Sequence, residues 1–374
     1  MRRIIWLVIK IILIAAVAML LCGSAAAEQP DVYESYGDTL ADAVPPEASE
    51  ILEDSGITPD NNGAAALSIE GVLTFLKDQL LDKLTEPLRL FAALCGIVLL
   101  CALSKSAADT AGGMSGVFSA VGVLAGAGMT CAAISEALSD TLNVLQAASE
   151  FMLIFVPVFA GIIAAMGKAA AASAANTVTL GAAQLFSQLV VNFLVPVCGT
   201  VMGLSVTGAI HPELNISKLG ELIKKAAVWI LSMLMTVFMS ILSAQTFVTN
   251  SADNVLIRTA KFAVSSGVPI VGGTISDAVN TVHASLSLLH SSIGTYGIVA
   301  GIVIILPTLI SVVCYRMALS AAEAMSEVFG IKELSALFKA CGSVMAIIMA
   351  VIVCFLLLNT ISAVIMLAIG SGTA

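Results

Sequence analysis

No lysine or arginine occurs between Ile11 and Leu76, although the stretch from Glu28 to Glu70 carries eleven of the chain's 25 carboxylates. Cations are scarce everywhere, 16 in 374 residues, and charged residues of both signs make up only 11% of the chain. A soluble chain of this length needs a far more charged surface, which excludes a water-facing globular protein. Aromatics amount to 5%, and no basic patch interleaves with them, so nothing here reads nucleic acid.

Catalytic signatures are missing as well. Gly161 to Lys168 has five residues between its glycines, and Ala169 stands where a P-loop has its hydroxyl, so the phosphate-cradling pattern fails. HExxH and GxSxG are absent, and His283 and His290 are seven residues apart, too far along a helix to share a metal. The chain is therefore expected not to be an enzyme and to need no cofactor or metal. Disulfides are not expected either. Cys22, Cys95, Cys101, Cys131, Cys198, Cys314, Cys341 and Cys354 all lie in apolar runs, where cysteine behaves as a small buried hydrophobe.

What is present is hydrocarbon. Apolar residues reach 59% and mean hydropathy is +1.04, which places most of the chain in lipid. The N-terminus has the three parts of a secretory leader: Arg2, Arg3 and Lys10, the apolar run Ile11 to Leu21, and Ala25-Ala26-Ala27 before Glu28. Cleavage after Ala27 is expected; an uncleaved anchor is the alternative. Leu21 before Cys22 does not fit a lipobox, so lipidation is not expected. Residues 28–67 are acidic and carry Pro30, Pro45, Pro46 and Pro59, and read as a flexible exported segment. Residues 68–89 repeat Leu73, Leu76, Leu80 and Leu84 at helical spacing, which predicts an amphipathic helix on the membrane surface or a partner.

Residues 90–374 form the multi-spanning domain, an all-α polytopic membrane fold of six to eight crossings. Six apolar stretches stand out: Leu90–Ser104, Met114–Ile134, Phe151–Met166, Ala226–Val248, Ile293–Cys314 and Cys341–Leu367. Between them Lys168–Ser205 is continuously apolar, and its crossing number sets the topology. The bias of Lys and Arg toward the cytoplasm favours a hairpin or re-entrant loop there over one crossing. That choice puts Lys218–Lys225 and Arg316–Lys339 inside, with the acidic segment, Thr249–Ser292 and the C-terminus outside. Arg316–Lys339 reads as an amphipathic helix interrupted near Gly330, suited to an inner partner or to lipid.

Apolar–proline–apolar runs closed by glycine recur at Pro157 and Gly161, Pro196 and Gly199, and Pro269 and Gly272. Paired breaks of this kind serve a midplane transport site, with Asp253 as a nearby charged candidate; simple kinks are the alternative. Gly122-x-x-x-Gly126 and Gly297-x-x-x-Gly301 point to close helix packing. Gln184, Gln188, Asn192 and Asn359 are polar side chains within apolar runs, fit either for function or for helix–helix hydrogen bonds.

The order of these features, with FVPVFAGIIAAMG, GVPIVGGTISDA, CYRMALSAAEA and KELSALFKACGSVMAIIMAVIVCF, resembles the stage III sporulation protein AE family of endospore formers. The resemblance covers essentially the whole chain. It implies a mother-cell membrane component of the assembly that joins mother cell and engulfed forespore, with ring-forming subunits in the intermembrane space and a separate ATPase. On that reading the chain is a permease or channel element, or an anchoring scaffold. Outside it, the alternative is a stand-alone secondary transporter of a small solute.

Overall fold

The computed structural model describes residues 39–54, 77–111 other than 78, 80 and 82, 115–210, 219–241 and 272–371. Every regular element among them is helical: α1 (Pro46–Asp54), α2 (Thr85–Ala111), α3 (Ser115–Ala165), α4 (Ala169–Leu189), a π turn (Val190–Leu194), α5 (Val195–Ile210), α6 (Leu219–Ile241), α7 (Gly272–Val328) and α8 (Lys332–Ser371). Six rods are long and apolar enough to cross a bilayer: α2, α3, α4–α5, α6, α7 and α8. The protein is an all-helical, multi-pass membrane protein.

The middle of the bundle is a mutually packed trio of α3, α7 and α8; α2 lies on α3 and α7, while α4–α5 lies on α3 and α8. Phenylalanines at four-residue spacing give α3 its buried ridge. Phe151, Phe155 and Phe159 stack with centroids 5.6 and 5.3 Å apart, and His290 of α7 continues the stack at 4.7 Å from Phe159.

Two chain reversals set the order. At the first, Gly167 adopts φ 89° while the Gly167 and Lys168 amides donate to Ala164 and Ile163; at the second, Gly330 at φ 69° leaves the Gly330 and Ile331 amides on Glu327 and Ser326. Both are Schellman closures, in which a left-handed residue satisfies the last carbonyls of a helix, and glycine adopts that conformation at little cost. Lys105 donates to the Gly330 carbonyl at 3.1 Å, so the end of α2 and the α7–α8 turn lie at one end of the bundle. Lys168 donates to the Ile369 carbonyl at the other.

The helices differ from the sequence reading in three places. Among the described residues, the stretches Met114–Ile134 and Phe151–Met166, read as two crossings, fall within 115–134 and 151–165 of the single helix α3; its 51 residues reach about 76 Å. Glu136, Asp140 and Glu150 interrupt the hydropathy but lie on the exposed face, so they do not break the helix. Lys168–Ser205 does not form the expected hairpin. α4 and α5 run end to end through the π turn with both flanking residues right-handed, because that widened turn accommodates Pro196, which has no amide hydrogen to donate. The two differences offset one another, so Lys224, Arg316, Lys332 and Lys339 still fall toward the Lys105 end.

The third difference is α1. In the stretch read as a flexible tail, Leu40, Val44, Ala48 and Leu52 are buried and α1 packs on α7. Their spacing of four was the available helical signal.

Candidate functional site

The α4–α5 rod presents an unusual outward face for a helix long and apolar enough to cross a membrane. Ser173, Thr177, Gly181, Gln184, Gln188, Asn192, Pro196, Gly199, Gly203 and Thr207 follow one another at spacings of three and four, and all are exposed. The π turn supplies the extra residue that lets the run of fours stay on one face. None of the ten has a large apolar side chain; Leu185, Val191 and Phe193 flank the strip instead. Thr177, Thr200 and Thr207 donate to the carbonyls four residues earlier at 2.9, 2.6 and 2.9 Å, and Asn192 donates to Gln188 at 2.9 Å, which leaves the amide groups facing outward. By contrast, α6 turns Leu222, Trp229, Met233, Val237 and Ile241 outward, as a lipid-facing helix does.

α3 carries a second polar strip. Glu136, Asp140, Asn143, Gln146 and Glu150 are exposed along about four turns, and Gln146 donates to Glu150 at 3.0 Å. Pro157 and Gly161 continue the exposed side of α3.

A cavity of about 430 Å³ opens at the Lys105 end, where α5, α6 and the α7–α8 turn converge. Ser205, Glu221, Glu327, Lys332, Ser335 and Lys339 supply its polar lining, and Ser335 donates to Glu327 at 3.4 Å. Both charge signs are represented, so the cavity is a polar vestibule with no single-sign field.

Of the residues singled out in the sequence, Pro157 with Gly161 and Pro196 with Gly199 lie outward on α3 and α5, in line with the polar strips rather than in an interior pocket. Gly272 opens α7. Pro269, Asp253, Ala25, Ala27 and Glu28 lie outside the described residues. Among the packing glycines, a Cβ on Gly122 would fall 2.0 Å from Cys101 Sγ, on Gly126 3.1 Å from Leu334, and on Gly297 2.0 Å from the Phe155 ring; at Gly301 it would meet nothing within 4 Å.

Long apolar rods, with two exposed polar strips and a polar vestibule at one end, define a polytopic membrane protein. A profile of stage III sporulation protein AE matches residues 56–370, and the chain belongs to that family. It is similar to the stage III sporulation protein AE of Bacillus subtilis (strain 168), 25% identical over 162 residues that cover 43% of this chain and 41% of the relative. No solved structure matches.

Proposed function

We propose that this chain is a membrane-embedded wall subunit of the sporulation channel complex that links mother cell and forespore, rather than an anchor alone. The observation that carries this is the α4–α5 outward face: ten successive face positions along one rod, without a large apolar side chain. Amide and hydroxyl groups facing hydrocarbon are costly, so such a face belongs against water or against polar surface of another subunit. The strip on α3 obeys the same requirement, and its carboxylates favour a water-filled boundary. The neutral, glycine- and proline-bearing α4–α5 strip lets a solute pass without binding it tightly.

The cation-rich end, with Lys105, Lys224, Lys332 and Lys339, faces the mother-cell cytoplasm by the positive-inside bias. That orientation places the vestibule within reach of a separate ATPase and the acidic segment 28–67, after leader removal, in the intermembrane space with ring-forming subunits. The membrane involved is the mother-cell membrane around the forespore.

Replacing Gln184 and Gln188 together by Leu in the host tests the reading. The variant is expected to reach the membrane at normal level while forespores engulf, shrink and lose late transcription, the outcome also expected on deletion. Normal late transcription from this variant, with deletion still defective, favours the scaffold. Solute flux by the purified chain alone favours the stand-alone transporter.

A further inference from the structure

Hydroxyls in these helices mostly turn back on their own backbone. Thr130, Thr141, Ser149, Ser205, Thr295 and Ser326 each donate to the carbonyl four residues earlier, the usual resolution for a hydroxyl in an apolar helix. Thr179 of α4 and Ser362 of α8 do not. Both are 0% exposed, and neither oxygen has a protein partner; Asn359, 4% exposed, has none for either its amide nitrogen or its oxygen.

These three side chains meet on one seam. α4 and α8 are antiparallel and joined at two levels, by the Phe186–Phe355 ring pair at 5.4 Å and by Lys168 Nζ on the Ile369 carbonyl. Thr179 lies two turns from Phe186 on the same buried face; Asn359 and Ser362 lie one and two turns from Phe355 on the face that ends at Ile369. The antiparallel run therefore puts Thr179 level with Asn359 and Ser362. The other buried positions of α4 are the alanines Ala171, Ala172, Ala175 and Ala183.

We propose that the α4–α8 seam is a hydrated internal site, in which water bridges Thr179, Asn359 and Ser362. Buried amides and hydroxyls are satisfied almost without exception, and where protein offers no partner, ordered water making about three hydrogen bonds does so. The Phe186–Phe355 pair and the Lys168–Ile369 link lie to either side of it along the seam. It is separate from the outward strip, and its test stands whether or not that strip lines a conduit.

The test is radiolytic hydroxyl-radical labelling of the full chain in lipid nanodiscs, mixed rapidly with ¹⁸O-water and read by mass spectrometry. Radicals form from bound water, so buried side chains beside it are oxidised although solvent-inaccessible. Met366 and Phe355, on the seam face, are expected to oxidise at least ten-fold faster than Met345 and Phe338, which are as deeply buried elsewhere on α8. Asn359→Leu combined with Ser362→Ala is expected to remove that excess while leaving Met345 and Phe338 unchanged. Met366 and Phe355 labelling as slowly as Met345 and Phe338 in the native chain overturns the proposal, as does an excess that survives the double substitution.

Discussion

Gly297 of α7 lies against the ring of Phe155 of α3 so closely that a Cβ there would fall 2.0 Å from Cε2. The contact sits in the middle of the phenylalanine ladder, and the ring is fully buried. Gly297→Ala is expected to lower stability by about 1–3 kcal/mol through overpacking. Gly301→Ala, one turn further on, meets no atom and is expected to leave stability unchanged or slightly raised by helix propensity. Thermal unfolding of the two variants in detergent separates them. Equal destabilisation would mean that the close approach at Gly297 is absent.

The α7–α8 reversal depends on Gly330 at φ 69°. Forcing a Cβ into that left-handed conformation costs about 1–2 kcal/mol. Gly330→Ala is expected to show this loss in the same assay, and Gly330→Asn a smaller one, since asparagine tolerates the conformation better.

Cys341 is fully buried, and its sulfur lies 3.6 Å from Thr130 Oγ1. Cys101, Cys198 and Cys314 are buried too, whereas Cys95, Cys131 and Cys354 are partly exposed. Thiol titration is expected to leave Cys341 unmodified until denaturant is added. Rapid native-state modification of Cys341, located by mass spectrometry, would contradict the packing of α8 on α3.

Sidedness has its own test. A cysteine introduced at Ser371, the last residue of α8, is expected to react with an impermeant thiol reagent in intact cells before engulfment is complete. One at Lys332, at the opposite end of α8, is expected to react only after permeabilisation. The reverse pattern inverts the proposed orientation.

The apolar content of the chain is enough to identify a multi-pass helical membrane protein, because lipid imposes that composition on any helical crossing. Crossing number was harder to read. Glu136, Asp140 and Glu150 depress local hydropathy as a loop would, and only their common exposed face reveals a continuous α3. Pro196 with its neighbouring glycine reads as a break, and only the π turn before it shows how a rod accommodates it. The proposed face was legible in pieces: Pro196, Gly199, Gln184, Gln188 and Asn192 all stood out by residue type. Their alignment was not, since the π turn shifts the helical phase between Gln188 and Pro196 by an amount no regular 3.6-residue period supplies. The Thr179–Asn359–Ser362 seam joins residues far apart in the chain, and pairing α4 with α8 required the fold.

The most direct measurement compares two single cysteines in sporulating cells after engulfment, with the outer mother-cell membrane permeabilised, one replacing Gln188 on the polar strip and one replacing Trp229 on α6. Both positions are exposed on the isolated chain. A small, charged, water-soluble thiol reagent is applied to both, with reactivity counted above the native background. If the polar strip lines an aqueous conduit, Gln188→Cys reacts readily and Trp229→Cys, facing lipid, does not. Equal, slow reaction at both positions would mean that the strip is sealed against lipid or another subunit, and the conduit-wall account would be wrong.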